Sequence, residues 1–179
     1  TELRFIEAYL NRGDIFVDVG ANIGLFTLLA AEIVERTGQV HCFEPSSRTF
    51  SRLTENVTRN GFENVHTNQC AVSNEVGELE LYVSTDGHDA WNSLAGQLAG
   101  SEGSTEVVSV TTLDEYCQSR KITPTIIKID VEGWEKNVIL GGPQVFGSIN
   151  APDLLIEFTE ANCVAAGTSG KDLFNTIAQ

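Results

Sequence analysis

A glycine-containing turn near the amino end of the chain carries residues suited to bind a nucleotide-type cofactor. It runs Asp18-Val19-Gly20-Ala21-Asn22-Ile23-Gly24, directly after a short apolar stretch at 15–17. Apolar residues then recur at helical spacing, at Leu25, Leu28, Leu29 and Ile33. A strand therefore turns sharply into a helix, and a side chain at Gly20 or Gly24 would obstruct the turn or the approach of a ligand to the main chain. A tight turn that binds no ligand is the alternative interpretation.

The spacing of these glycines separates two classes of cofactor. A dinucleotide site has the pattern Gly-x-Gly-x-x-Gly, which lets a pyrophosphate lie on the amino end of the helix. Here the pattern is Gly20-x-Asn22-x-Gly24, and Leu25 stands where the third glycine would be. Asp18 would also repel a pyrophosphate, whereas its carboxylate suits a ligand that carries an ammonium and a sulfonium group. The pattern therefore favours S-adenosylmethionine.

A second carboxylate supports this cofactor. Glu44 ends the predicted strand from Val40 to Glu44, and Pro45 follows it. A carboxylate about 20 residues after the glycine turn is placed to accept hydrogen bonds from ribose hydroxyls. An ordinary exposed carboxylate at the end of a strand remains the alternative for Glu44.

Asp130 and Glu132 are the candidate catalytic residues. They stand two residues apart, where the predicted strand 126–130 turns towards a helix that begins near Glu135. Methyl transfer from a sulfonium to an alcohol requires that oxygen, carbon and sulfur are aligned and that the hydroxyl proton is removed. One carboxylate could bind the cofactor while the other acts as general base. The alternatives are a helix-capping role for Glu132 and, as a different base, His88.

The elements that must position these residues alternate between strand and helix. Strands are predicted at 15–19, 40–44, 65–72, 126–130 and 153–157, and helices are predicted at 24–36, 47–60, 112–120 and from 135. This order predicts an α/β fold, with a mostly parallel sheet and helices on both faces. Ligands of such sheets bind at the carboxyl ends of the strands. Four of the five ends are acidic, and a ligand with a sulfonium and an ammonium would compensate these clustered carboxylates.

A long loop is predicted between two further strands, 77–84 and 106–111. It spans residues 85–105 and contains four glycines. Because such a long excursion is usually functional or disordered, we expect it to select the acceptor. Candidate acceptor contacts are His88, Trp91 and Asn92 in the loop and Trp134 outside it. The tryptophans could stack on a sugar ring, although Trp134 suits packing of a helix on the sheet equally well.

Composition limits the remaining function classes. The 179 residues are enough for one domain, and the formal charge of −14 would repel nucleic acid. Cys42, Cys70, Cys117 and Cys163 lack the spacing of a metal site or a redox pair, so we expect no metal, and we expect core thiols at Cys42 and Cys70. A reducing, cytoplasmic location is the default, and no transmembrane run or targeting peptide is evident. The sequence does not indicate an oligomeric state.

Four segments together resemble the FkbM family of S-adenosylmethionine-dependent methyltransferases. They are residues 17–24, Phe43-Glu44-Pro45, residues 68–73, and Lys128-Ile129-Asp130-Val131-Glu132-Gly133-Trp134-Glu135. The resemblance covers nearly the whole chain. It implies a Rossmann-like class I methyltransferase fold and methyl transfer to a hydroxyl, typically on a sugar, a glycolipid or a polyketide-type small molecule.

The resemblance also implies roles for individual residues. Asp18, Gly20 and Gly24 would line the methionine part of the cofactor, and Glu44 would hold its ribose. Ala71 and Val72 would border the adenine, while Asp130 and Glu132 would face the transferred methyl group. Asn22 replaces the middle glycine that many class I methyltransferases have, in agreement with this particular family.

Both ends of the chain indicate a piece of a longer protein. The chain contains no methionine, even at position 1, and it begins inside a predicted helix. It stops at Gln179, before the antiparallel sixth and seventh strands that would complete the implied fold. We therefore expect either a reduced domain or strands supplied by sequence outside this chain.

Two other functions stay open at this point. A domain that holds the cofactor without catalysis would keep Asp18 and Glu44 but lack a competent acceptor site. A nicotinamide-dependent oxidoreductase is the weaker alternative, because the third glycine of the dinucleotide pattern is missing.

Overall fold

The structure, a computed structural model, describes residues 2–84, 94 and 103–178. The helices are α1 (Glu2–Tyr9), α2 (Leu25–Val34), α3 (Ser47–Asn60), α4 (Leu113–Arg120), α5 (Glu135–Leu140), α6 (Pro143–Phe146), α7 (Glu160–Ala165) and α8 (Gly170–Ile177). The strands are β1 (Ile15–Val19), β2 (Gln39–Phe43), β3 (Val65–Asn68), β4 (Ala71–Val72), β5 (Gly77–Ser84), β6 (Gly103–Thr111), β7 (Ile126–Ile129) and β8 (Asp153–Ile156). A single 3-10 turn, Glu35–Thr37, follows α2 in this part of the chain.

The central sheet has five parallel strands in the order β3-β2-β1-β7-β8. The chain builds outward from β1 to β3 on one side and then from β7 to β8 on the other. The reversal falls between β1 and β7, and a crevice forms outside the carboxyl ends of strands at such a point. This architecture confirms the predicted α/β class.

Helices cover both faces of this sheet because successive strand residues point to opposite sides. On one face, Phe16 packs with residues of α1 and α2, among them Ile6 and Ala30. On the other face, Val17 packs with residues of α4, α5 and α8, such as Leu113. Since both faces are buried, the central strands β1 and β7 are apolar except for Asp18 and Lys128.

A second, three-stranded sheet lies beside the first, in the order β4-β6-β5. The antiparallel β5 and β6 pair from Gly77 opposite Val110 to Ser84 opposite Gly103. The predicted loop is therefore shorter at its carboxyl end, because β6 already begins at Gly103. Residues 85–93 and 95–102, which include the candidates His88, Trp91 and Asn92, lie outside the described residues.

The predicted strand 65–72 is divided between the two sheets. Its first half pairs with β2, whereas Ala71 and Val72 pair with β6. The division follows from the end of β2: its last bond to this segment runs from Glu44 N to Asn68 O at 3.1 Å, and Ser46 N, the next donor in register, is bound by the Glu44 carboxylate instead. The side chain of Asn68 donates to the carbonyl of Cys42 at 3.0 Å, where β3 leaves the central sheet.

The strands that carry the candidate catalytic and acidic residues end one residue earlier than predicted. Strand β7 ends at Ile129 and β8 at Ile156, so Asp130 and Glu157 begin the turns that follow them. Helix limits agree well with the sequence signals: Gly61 ends α3 with φ 69°, and the Thr112 side chain caps α4 by accepting from Glu115 N. Within the described ranges, every helix is too short or too polar to cross a membrane.

Candidate active site

A cavity opens at the carboxyl ends of the central strands, where the sheet order reverses. It encloses about 660 Å³ of empty space, part of it open to solvent. We call it the edge cavity. Its lining residues come from the ends of β1, β2 and β7, from β4 and from the second sheet: Val19, Gly20, Asn22, Phe43, Glu44, Pro45, Cys70, Ala71, Val72, Leu81, Leu94, Asp130, Val131 and Glu132.

Most of the residues predicted to bind the cofactor or to act in catalysis meet in the edge cavity. They are Gly20, Asn22, Glu44, Ala71, Val72, Asp130 and Glu132. Among the described residues, three further candidates do not line it: Asp18, Gly24 and Trp134. The roles of all these residues in binding and catalysis stay predictions, and the surroundings of each side chain indicate what it can do.

Glu44 is held rigidly at one side of the edge cavity. Its Oε2 accepts from the backbone N of Asn22 at 3.0 Å and its Oε1 from the backbone N of Ser46 at 3.1 Å. Asn22 reaches this position with φ 50°, a left-handed conformation that asparagine adopts more readily than most residues. Hydrogen bonds from two backbone N–H groups favour the ionised carboxylate and fix its orientation.

The two glycines of the turn are required by packing within the protein. Gly20 has φ 80°, and a Cβ there would lie 1.8 Å from the carbonyl oxygen of Asp130. Gly24 has φ 96°, and a Cβ there would lie 2.7 Å from the Cδ1 of Leu53. Gly20 thus lets β1 and β7 close together beneath the cavity, while Gly24 lets α2 approach α3.

Asp18 lies beneath the edge cavity and is fully buried. The hydroxyl of Thr27 donates to its Oδ2 at 2.6 Å, and the Nζ of Lys128 lies 3.5 Å from its Oδ1. Asp18 and Lys128 are register neighbours on β1 and β7. The predicted contact of Asp18 with the methionine part of the cofactor stays a prediction, and this placement favours an indirect effect through Lys128.

The ammonium group of Lys128 compensates part of the carboxylate cluster at the strand ends. Sequence reasoning had assigned this compensation to the positive charges of the ligand. The Lys128 ammonium lies 3.3 Å from Asp130 Oδ2 and donates to the Gly20 carbonyl at 3.4 Å. Burial works against the charge of Lys128, but Asp18 and Asp130 together raise its pKa, so the ammonium form is retained. The sequence signal was a lysine within the otherwise apolar strand Ile126-Ile127-Lys128-Ile129.

Glu132 faces the edge cavity from a strained turn. It has φ 50°, which is uncommon for a residue other than glycine, and Gly133 follows with φ 103°. The side-chain amide of Asn162 in α7 donates to Glu132 Oε2. A Cβ at Gly133 would lie 2.4 Å from the Asn162 carbonyl oxygen, so the turn and α7 are in close contact.

The surroundings of Glu132 raise its affinity for a proton. Burial, followed by the negative charges of Asp130, Glu135 and Glu157, raises the pKa of Glu132 to about 7. The hydrogen bond from Asn162 opposes this shift. A carboxylate with a pKa near neutrality can accept a proton from a hydroxyl as the bond to carbon forms and still be ionised in half or more of the molecules at neutral pH.

Trp134 is anchored close to the edge cavity without lining it. Its indole Nε1 donates to the Ser73 hydroxyl at 3.0 Å, which ties the start of α5 to the end of β4. Its proposed contact with the acceptor remains a prediction.

Cys70 is only half buried and lines the cavity, while burial raises the pKa of its thiol to about 11 and keeps it neutral.

Four residues of the site were missed by sequence reasoning besides Lys128. Asn162 follows a Thr159 cap in α7, but no spacing connected it with Glu132. Glu135 ends the motif that begins at Lys128, so its position was visible while its role was not. Leu81 of β5 lines the cavity and clusters with Ala71 of β4, and Leu94 packs against this cluster.

Comparisons with known proteins agree with this geometry. The family described as Methyltransferase FkbM domain matches residues 18–178. The chain is 27% identical over 178 residues to the hexuronic acid methyltransferase AglP of Haloferax volcanii, and it is 45% identical over 69 residues to the 31-O-demethyl-FK506 methyltransferase FkbM of Streptomyces tacrolimicus. Its fold is similar to that of a methyltransferase FkbM from Methylobacillus flagellatus KT, with a TM-score of 0.60 and 20% identity.

The matched proteins are longer than this chain. The first match covers 99% of the chain and 66% of AglP, and the second covers 38% of the chain and 25% of its relative. The structural match covers 92% of the chain and 36% of the Methylobacillus protein.

Proposed function

The chain belongs to the FkbM methyltransferase family, and from this premise we propose that it transfers a methyl group from S-adenosylmethionine to a hydroxyl of a sugar-like small molecule. The observation that carries the proposal is the pairing of two different carboxylates across one cavity. Glu44 is held by backbone N–H groups, whereas burial and then the neighbouring carboxylates raise the pKa of Glu132 to about 7. The first suits binding of a diol, and the second suits removal of a proton.

The edge cavity has the donor and acceptor groups that S-adenosylmethionine needs. Glu44 would accept hydrogen bonds from the ribose hydroxyls, and the apolar residues Ala71, Val72 and Leu81 would border the adenine. Asp130, at the opposite side, would face the ammonium and the sulfonium. When bound there, the cofactor supplies a methyl group on a positively charged sulfur.

Glu132 is the residue we assign to proton removal. Its carboxylate would accept the proton of the acceptor hydroxyl, while the Asn162 amide holds it in place. Alignment of the reacting atoms can lower the barrier by roughly 7 to 11 kcal/mol, and a general base adds a factor of about 10² to 10⁴. The protein therefore contributes chiefly by holding two molecules in line and by placing one base.

The names of the relatives support a hydroxyl on a small molecule as the acceptor. One relative acts on a hexuronic acid and the other on 31-O-demethyl-FK506. The acceptor of this chain would enter beside Glu132. His88, Trp91, Asn92 and Trp134 stay candidates for contacting it.

The proposal is tested by methyl transfer from labelled S-adenosylmethionine to a panel of hexosides, hexuronates and hydroxylated macrolides, with the full-length protein. For any acceptor that is methylated, single-turnover rates are then compared in Glu132→Gln, Asp130→Asn and the exposed control Glu115→Gln. Glu132→Gln should lower the rate by about two orders of magnitude or more, because the amide keeps the shape but not the basicity. Affinity for S-adenosylhomocysteine should change little in this variant.

The pH dependence adds a check with a definite sign. Because the base must be ionised, the wild-type rate of methyl transfer should fall about tenfold per pH unit below pH 7. The residual rate of Glu132→Gln should not show this decrease. Full rates in both carboxamide variants would exclude a carboxylate base. Binding of S-adenosylhomocysteine without transfer to any acceptor would indicate a cofactor-binding domain, and preferential binding of NAD would indicate an oxidoreductase.

A further inference from the structure

The turn that presents Glu132 is bound from inside the protein by a single carboxylate oxygen. Glu135, the first residue of α5, is fully buried. Its Oε1 accepts from Gly133 N at 2.9 Å and from Val131 N at 3.3 Å. These two N–H groups belong to the residues immediately before and after Glu132, so one oxygen fixes the backbone on both sides of it.

This turn needs such support because its conformation is unfavourable. Glu132 occupies the left-handed region with φ 50°, and such residues persist only where the surroundings over-determine them. Asn162 holds the side chain of Glu132 from α7, but it does not bind the N–H groups of the turn. Glu135 therefore holds the backbone of the turn, and Asn162 holds the side chain of Glu132.

We propose that Glu135 is a positioning residue for Glu132, which holds the turn through two backbone N–H groups and adds its negative charge to the surroundings of the Glu132 carboxylate. The catalytic consequence of this arrangement rests on the proposed function. The arrangement itself does not, because the position and proton affinity of Glu132 can be measured without any acceptor.

The charged groups that act on Glu132 come from three elements. Asp130 follows β7, Glu157 follows β8 and Glu135 begins α5, and all three raise the pKa of Glu132. Lys128 lies between Asp18 and Asp130 and forms ion pairs with both. Burial raises the pKa of Glu135, whereas the hydrogen bonds from Gly133 N and Val131 N work in the other direction and favour its carboxylate form. Its second oxygen, Oε2, is buried and has no hydrogen-bond partner among the described residues.

A purely structural explanation is that Glu135 only caps α5. An acidic residue in the first turn of a helix is favourable for that reason alone. A cap would account for effects on stability, but it would not require the titration of Glu132 to change when Glu135 loses its charge. Glu135→Gln separates the two explanations because the amide oxygen can still accept both N–H bonds while the charge is removed.

The first experiment measures the titration of Glu132 by carbon-13 NMR of glutamate-labelled protein, with Glu132→Gln used to assign the resonance. In the wild type, the Glu132 carboxyl carbon should titrate near pH 7. In Glu135→Gln it should titrate lower, by roughly half a unit or more, because one nearby negative charge is gone. The control Glu115→Gln removes an exposed carboxylate from the first turn of α4 and should leave the titration unchanged.

The second experiment compares Glu135→Ala, which loses both backbone bonds, with Glu135→Gln, which keeps them. The single-turnover rate of methyl transfer should fall about tenfold or more in the alanine variant and less in the glutamine variant, because a displaced base costs rate. Affinity for S-adenosylhomocysteine should stay the same. An unchanged Glu132 titration in Glu135→Gln, or an equal rate in both variants, would overturn the proposal. If the wild type methylates nothing, or if Glu135→Ala does not fold, the NMR titration alone decides it.

Discussion

Glu44 and Glu132 are the same type of residue at the same edge of one sheet, yet their surroundings prepare them for opposite tasks. Glu44 accepts two backbone hydrogen bonds, which stabilise its charge. Glu132 lies near three other carboxylates and is partly withdrawn from water, which raises its pKa to about 7. We therefore propose different roles for the two carboxylates, cofactor binding for Glu44 and proton removal for Glu132.

The binding task of Glu44 predicts a loss of cofactor affinity on truncation. Hydrogen bonds to a charged group contribute about 1.5 to 3 kcal/mol. In a calorimetric titration, Glu44→Ala should therefore lower the affinity for S-adenosylhomocysteine by about tenfold or more. A thermal unfolding curve is the control that the variant is still folded. An affinity equal to that of the wild type would remove Glu44 from the site.

At the residue scale, sequence reasoning found Glu44 and Glu132 because a strand end and a specific motif revealed them. It placed Asp18 at the same edge but did not decide which face of β1 its side chain joins. Alternation along β1 puts Asp18 on the side of Phe16, under α2, where Thr27 donates to it. Its partner Lys128 is far away in sequence, so only the pairing of β1 with β7 shows the contact.

The contact between Asp18 and Lys128 is also the feature that joins two elements, β1 and β7. Both side chains are almost completely buried, at 0% and 4% exposure. Removing one partner of a buried ion pair leaves an uncompensated charge and typically costs about 3 to 5 kcal/mol.

We therefore expect Lys128→Met to lower the free energy of unfolding by about 3 to 5 kcal/mol in urea denaturation. The double variant Asp18→Asn with Lys128→Met should recover much of this loss, because neither side chain is then charged. If Lys128→Met is as stable as the wild type, the ion pair does not contribute to the free energy of unfolding. A double variant less stable than the single one would show that Asp18 does not depend on Lys128.

The division of the predicted strand 65–72 belongs to the same scale. The segment contains neither proline nor glycine, so its own sequence carries no strong signal for a break. The change of partner accompanies the capture of Ser46 N by the Glu44 carboxylate after β2 and the arrival of β6 from much later in the chain. A pattern read along one segment could not contain this information.

At the scale of the whole molecule, the alternation of strands and helices was enough to predict the parallel sheet, and with it the edge at which ligands of such sheets bind. The order β3-β2-β1-β7-β8 then brings Glu44 and Glu132 to one cavity, although 88 residues separate them in the sequence numbering. The second sheet was not predicted as a sheet, since antiparallel pairing of β5 and β6 across a long connection leaves no local signal. Leu81 of β5 lines the cavity, and so does Leu94, which lies between β5 and β6 in the sequence.

The central claim is that the edge cavity binds S-adenosylmethionine with its ribose at Glu44 and its methyl group towards Glu132. A crystal structure of the protein with S-adenosylhomocysteine tests this most directly. We predict that both ribose hydroxyls lie within hydrogen-bond distance of the Glu44 carboxylate and that the sulfur faces Asp130 and Glu132. A ligand bound outside the edge cavity would contradict the account. So would a sulfur that points away from Glu132, because no acceptor hydroxyl could then contact both the Glu132 carboxylate and the methyl group on that sulfur.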